Sequence, residues 1–365
     1  MSNTDLSVTN FDEIDEIAIS SGRGSRSAST FNMLHGINHR QPGVSSVPTN
    51  QDSVGFTFFT KPVLNLAYDN INKIRKLEFL TDQDPMSMGC AIKSMLSPFV
   101  MHGHIPREPE GVSYSSNGIQ YRNVRSAIVD DRQAFIPLLT NSLINLSGWS
   151  DLSMDTFTTD EGLYQESMSW IDSRPVIYGT RDFTANFRNM DGDPITTLFE
   201  SWLEYAGRVS DGTIYPYAQH ILNKTIDYTT RIYVLVLDRS RTIVQKIACT
   251  GGAFPIAVPN AVTFNTNNNE NIFTENNQIS IPFRVNGIWY NDPIIIREFN
   301  RTVEMFCPDM ADDRRDTSMV KLTGSLLNYF GQRGYPRIEL LVKESEGKNI
   351  RNYELSWYYY KSTVD

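Results

Sequence analysis

Cysteine is scarce in this 365-residue chain. Cys90, Cys249 and Cys307 are odd in number and far apart, so they yield neither a disulfide framework nor a CxxC metal pair. Positive charge is also in short supply: 33 Lys and Arg face 42 Asp and Glu, for a net charge of −9. That balance argues against a protein built to grip nucleic-acid phosphate, which needs a concentrated basic face. It leaves room for a surface that nucleic acid slides past without sticking. No uninterrupted apolar run approaches the roughly 18 residues of a membrane helix, so no span is expected. The start, "MSNTDLSVTNFDEIDEIAIS", is acidic and lacks the basic opening and apolar core of a signal peptide. Folding in a reducing cytoplasm is the expectation.

What is present suffices for real cores. Hydrophobic residues make up 40% and aromatics 11% of the chain, which excludes wholesale disorder. The length suggests more than one unit, and composition places the boundaries. Residues 1–50, with "SSGRGSRSAST" and "QPGVSSVPTNQDS", carry few large apolar groups and read as an extended arm. Such a segment cannot offset its own ordering entropy, so it points to an assembly that holds it. Residues 51–140 read as a mixed α/β segment and 141–365 as a β-rich domain with flanking helices.

Local signals fill in the elements. "VGFTFFTKP" (54–62) reads as a strand stopped by Pro62. Asp84–Pro85 opens a predicted helix with Met88, Ile92, Met95, Leu96 and Phe99 at helical spacing. Residues 132–145 suggest a second helix, interrupted at Pro137. The stretch 191–207 gives the clearest helix: Asp193 caps, Pro194 opens, and Ile195, Leu198, Phe199, Trp202 and Ala206 form the stripe before Gly207. Beyond it the period falls to two. "RIYVLVLD" and "TIVQKIA" flank a turn at 238–241 and predict a hairpin. "ISIPFRVN" alternates cleanly, with Pro282 suggesting an edge or bulge. "IIIREF" (294–299) continues the strand-like series after an Asn291–Asp292–Pro293 turn. A helix at about 318–330 then precedes two last strands, "RIELLVK" and "NYELSWYYY". Helices followed by a β-rich region make an α+β layout, a barrel or sandwich with flanking helices.

The chemical constellations are weak. "RTIVQKIACTGGAFPIAVP" (241–259) lacks the Lys-Ser/Thr of a phosphate loop, and Pro255 cannot open the helix such a loop needs. No G-x-S-x-G occurs, and Cys249 has no locatable His partner. The stretch reads as a strand ending in a tight glycine turn. His102–Gly103–His104 and the pair His35/His39 lack further ligands. Asp191–Gly192–Asp193 reads as helix capping before it reads as a magnesium pair. Arg23 and Arg26 are too few for a nucleic-acid arm, and the run Asp12, Glu13, Asp15, Glu16 is a solvated tail or a docking peptide. No spacing singles out two carboxylates as a hydrolase pair.

Residues from about 140 to 300 carry a resemblance. The segment "GWSDLSMDTFTTDEGLYQESMSWIDSRPVIYGTRDFTANFRNMDGDPITTLFESWLEYAG" is followed by "IDYTTRIYVLVLDRSRTIVQKIACTGGAFPIAVP" and the turn Trp289–Tyr290–Asn291–Asp292–Pro293. This order of elements resembles structural proteins of large tailed bacteriophages, in particular tail-tube and baseplate proteins. The resemblance implies a tail-tube-like β-barrel or sandwich whose subunits stack as rings by joining sheets between neighbours. It implies a virion tail location, partnership with other tail and baseplate proteins, a homo-oligomeric ring, and DNA passing a channel without specific binding. It also implies no enzymatic activity and no cofactor or metal. The chain is about twice the length of a minimal tube subunit, which favours a specialised baseplate or tube-associated component. A head or neck protein is the alternative, and a cell-wall hydrolase is a more distant one. Aromatic anchors for assembly are expected at Trp289, Tyr290, Trp357, Tyr358 and Tyr360.

Overall fold

Period-two alternation over residues 232–255 and 278–290 becomes the middle of a six-stranded antiparallel sheet. The computed structural model describes residues 54–97, 113–116, 119–122, 126–172, 177–264, 277–331, 333–345 and 348–364. The arm at 1–50, with its histidine pair, arginines and acidic run, lies outside the described residues, as do Phe99, His102 and His104. In chain order the strands are β1 (Val54–Phe59), β2 (Ser113–Ser116), β3 (Ile119–Arg122), β4 (Leu143–Ser147), β5 (Thr156–Thr158) and β6 (Ser169–Ile171). They continue with β7 (Ile177–Arg188), β8 (Ile232–Leu237), β9 (Val244–Pro255), β10 (Gln278–Tyr290), β11 (Met319–Lys321), β12 (Tyr335–Ser345) and β13 (Lys348–Tyr360). The helices used below are α1 (Met88–Leu96), α2 (Pro137–Ser142), α3 (Pro194–Ser210), α4 (Pro293–Phe306) and α5 (Asp312–Ser318).

The main sheet runs β1-β8-β9-β10-β7-β4, and a smaller one runs β11-β13-β12. Two devices bring the margins of the large sheet together. The segment before α2 covers the end of β1: Ile136 N–H donates to Phe59 O at 2.8 Å and Lys61 N–H to Ala134 O at 2.9 Å. From there α2 leads straight into β4, the opposite margin. The curvature is large. The Phe59 ring on β1 lies 5.8 Å from that of Phe187 on β7, where four strand spacings would place them about 19 Å apart on a flat sheet. The protein is thus a mixture of helix and strand around a nearly closed, barrel-like antiparallel sheet.

Alternation sorts the side chains between two cores. Phe183, Ala185 and Phe187 of β7 and Ile279, Ile281, Phe283 and Val285 of β10 point inward. There they meet Leu198, Phe199 and Trp202 of α3 and Ile92 and Leu96 of α1. This cluster draws on residues on both sides of position 140. Each such fully buried aromatic or aliphatic side chain contributes about 1.5–3 kcal/mol relative to exposure. On the outer side of β1, β8 and β9, Phe58, Tyr233, Leu235 and Ile247 are covered by α4 and the small sheet. Among the described residues nothing comparable covers the outer side of β10, β7 and β4. Ser280, Arg284, Asp182, Asn145 and Ser147 face solvent there.

Several elements differ from the sequence reading. Pro137 opens α2 instead of interrupting a helix over 132–145, because its missing N–H falls where a first turn needs none; residues 143–147 are strand. Ser87, not Asp84, caps α1, accepting from Cys90 N at 3.1 Å. Asp193 sits at φ 49°, its carboxylate taken by Asn189 Nδ2, and α3 runs past Gly207 to Ser210 with Tyr205 buried in its stripe. "IIIREF" belongs to helix α4: Asp292 caps it by accepting from Ile294 N at 3.0 Å, and Ile295, Phe299, Val303 and Phe306 form its buried stripe. In place of the helix expected at about 318–330 the chain forms β11 and a short helix Gly324–Tyr329, because Met319–Lys321 pairs with β13; α5 lies just before them. Pro282 sits in an inner strand, opposite Thr184; its carbonyl accepts Ile256 N–H at 2.9 Å just past the end of β9, and its missing N–H ends the ladder there. Gly251 and Gly252 form no corner: β9 passes through them unbroken to Pro255.

Candidate functional site

The buried groups with most chemical potential, Cys249, Tyr205 and Asp227, are tied into the fold. The Cys249 thiol is buried beneath α4, and burial pushes its pKa up to about 12. It donates to Thr250 O instead of meeting a base. His220, the histidine among the described residues, bonds Thr225 Oγ1 at 2.8 Å, and burial lowers its pKa. Tyr205 donates to Asp227 at 2.5 Å and receives Asn65 N–H at 3.0 Å, tying α3 to the segments that follow β1 and precede β8. Burial raises the Asp227 carboxyl and the Tyr205 phenol together. Among the described residues no three His, Cys, Asp or Glu side chains are grouped to hold a metal ion, and Asp191 and Asp193 gain no third ligand.

The surface is more informative. Between β4 and β7 the chain leaves the barrel as an arm built on the β5–β6 hairpin. From Asp151 to Asp172 nearly every residue is exposed. Leu163 is 92%, Tyr164 87% and Met168 70% accessible, and Trp170 and Ile171 are exposed beside them. Phe157 and Trp170 meet at a tilt across the hairpin, ring centroids 4.8 Å apart, which stiffens it without giving it a core. The arm carries Asp151, Asp155, Asp160, Glu161, Glu166 and Asp172, and no Lys or Arg. Monomeric proteins rarely leave so many large apolar side chains uncovered together, and such patches mark interaction sites.

The base of the arm is fixed to the barrel. Trp149 packs edge-on to Phe183 at 4.9 Å, and Tyr290 donates its hydroxyl to Ser150 O at 2.7 Å. Gly148, at φ 116°, passes so close to β7 that a Cβ would fall 2.6 Å from Asp182 O.

The five aromatic positions expected at an interface separate accordingly. Trp289 shows 37% of its surface. Tyr290 is half-buried at the arm base. Trp357 packs on Phe56 and Phe58 in the outer core, and Tyr358 is buried with its hydroxyl on Glu339. Tyr360 receives Arg132 Nη1 at 2.7 Å and donates to Asp309 at 3.1 Å. The arm itself escaped sequence reasoning. Its only signal is a density of large apolar residues among carboxylates without a period of 2 or 3.6.

A family model described as "putative phage tail tube protein" matches residues 2–363. No curated protein matches the chain. Among solved structures it is similar to the tube-terminating cap of the anti-feeding prophage, at 14% identity and TM-score 0.26, over 43% of this chain and 81% of that one. It is similar also to the PVC sheath/tube terminator of an extracellular contractile injection system in the extended state (11%, TM-score 0.24, 43% and 86%). A third is the PVC sheath-tube complex in the extended state (16%, TM-score 0.26, 43% and 82%).

Proposed function

From the premise that the chain belongs to that phage tail tube family and is a structural component of a tail, we propose that it is a tail-tube- or baseplate-associated subunit that assembles with copies of itself and with other tail proteins. The exposed arm carries this reading. Leu163, Tyr164, Met168 and Trp170 make no sense as the permanent surface of a solitary molecule, and the rigid base at Trp149 and Tyr290 aims them away from the barrel. The uncovered outer face of β10, β7 and β4 adds a second contact surface. It is polar and weakly charged, with Arg284 paired to Asp182 at 3.0 Å and Asn186 bonded to Asn145 at 3.1 Å. Such a face would let a polyanion such as DNA pass without capture, in keeping with the net charge of −9. The β11–β13 sheet and α4, which cover the rest of the barrel exterior, account for the length beyond a minimal tube subunit and suit a specialised position in the tail.

Sedimentation velocity and negative-stain electron microscopy of the purified full-length chain test this. Rings or tubes are expected from the wild-type chain, alone or with its neighbouring tail proteins. Replacing residues 152–171 by a short Gly-Ser link should leave a folded monomer. A wild-type chain that stays monomeric with every tail protein offered, or an armless variant that assembles as well as the parent, overturns the reading.

A further inference from the structure

The acidic arm needs an acceptor, and the same chain presents one of opposite character. A groove of about 580 Å³ runs between α4 and β12, within the size range of recognition sites. Arg297 and Arg301 stand on its helical side, four residues apart on one face and exposed. Among the described residues neither guanidinium has an ion pair or hydrogen bond. Two like charges at i and i+4 cost a helix a few tenths of a kcal/mol. The other arginines of the groove are already engaged: Arg337 holds Glu304 at 2.7 Å and Asp312 at 2.6 Å, and Arg315 holds Asp312 at 2.7 Å. Ile294, 56% exposed, extends the same helical face towards the groove mouth.

The strand side is open as well. β12 is a margin of the small sheet. At Ile338 the side chain of Asn300 takes the place of a missing strand: it accepts Ile338 N–H at 2.9 Å and donates to Ile338 O at 2.8 Å. Both backbone groups of Ile338 therefore point outward, and by alternation so do those of Leu340 and Val342. Among the described residues no strand takes up these outward groups, β13 pairing on the other side of β12. Val342 is 51% exposed. The groove thus offers unpaired positive charge, apolar surface and a strand margin side by side.

We propose that this groove receives the arm of a second copy of the chain, with Leu163 and Tyr164 on the apolar surface and Asp160 and Glu161 against Arg297 and Arg301. The pairing rests on the assembly reading above and names its partner surface. Charge complementarity selects the occupant: the arm holds six carboxylates and no cation, and two chains of net charge −9 repel each other unless such a local match offsets it. The arm's side chains are exposed in its own subunit, so its own groove does not hold them. Because arm and groove are different surfaces, the contact is head-to-tail and propagates, giving a ring if the rotation closes and a filament if it does not.

Charge reversal in the full-length chain tests it. Arg297→Glu with Arg301→Glu, and separately Asp160→Lys with Glu161→Lys, should each weaken self-association at least tenfold, with thermal midpoints unchanged. The chain carrying all four substitutions should recover to within about threefold of the parent. As a second measurement, Tyr164→Cys and Ile294→Cys chains are mixed and oxidised, and a disulfide joining the two is expected. The proposal is overturned if either reversal leaves assembly intact or the fourfold variant fails to recover. It is overturned too if a photo-crosslinker at Ile294 captures residues 11–19, the other acidic segment, in place of the arm. Assembly that persists through these reversals but is lost with the arm would leave the tail-subunit reading standing and remove only this groove. A wild-type chain that never self-associates would end both.

Discussion

Gly251 lies directly beneath the ring of Trp289: a Cβ at that position would fall 2.6 Å from the indole and 2.3 Å from Asn286 O. Gly251 therefore serves close approach and not a turn. Opposite it Gly287 takes φ 71°, where the β10–β7 register shifts. Gly251→Ala must displace either the strand or the tryptophan, and overpacking of this kind costs about 1–3 kcal/mol. Gly252→Ala meets nothing nearer than Thr229 at 3.8 Å and should be neutral or slightly stabilising. Urea unfolding followed by tryptophan fluorescence separates the two. Equal midpoints for both variants would show that Gly251 is not sterically required.

Contact between Phe59 and Phe187 makes a second expectation quantitative. These rings come from strands that only the curl of the sheet brings together. Truncating either to Ala should cost about 3–5 kcal/mol through the cavity left behind. The double variant should show a coupling of about 0.5–1.5 kcal/mol beyond additivity, as for other aromatic pairs in contact. Strictly additive effects would mean that the barrel is more open in solution.

Much of this fold could be read from residues, and the failures have physical causes. The hairpin around 238–241 and the inward set Ile279, Ile281, Phe283 and Val285 followed from alternation alone, since a sheet with one wet face leaves that imprint. The same Asp-Pro signal opens α3 and α4. It reads as a helix start at 193–194 but as a turn at 292–293, because three consecutive isoleucines favour strand and the stripe that decides for helix, through Val303 and Phe306, lies further on. Trp357 and Tyr358 are expected as anchors because a terminal strand is often half exposed, whereas in the subunit both are buried. Their placement depends on α4 and β1, which approach from distant sequence. The arm was illegible for the converse reason: Leu163, Tyr164 and Trp170 would read as core anywhere, and only the folded barrel shows that nothing covers them.

Lys61 supplies a test by pH. Its side chain is 2% exposed and donates to Asp130 O at 3.1 Å and Asp131 O at 3.3 Å. Burial lowers its pKa from 10.5 to about 8, against the opposing pull of the Asp130 and Asp131 carboxylates. Below pH 8 the amine is charged in both states, and folding bears the full cost of taking that charge out of water. Between pH 8 and 10.5 the unfolded chain holds the proton that the folded chain has released, so raising pH favours the fold. A depression of this size corresponds to about 3 kcal/mol across that window. Cys249 works the other way, its raised thiol pKa removing stability above pH 9, so wild type alone will not isolate the lysine. The difference between wild type and Lys61→Met does, because the cysteine contribution cancels. Wild type should gain on the variant as pH rises from 8 to 10.5, in urea midpoints taken at half-unit steps. A constant difference across the window would place the ammonium in contact with water and contradict its burial behind β1.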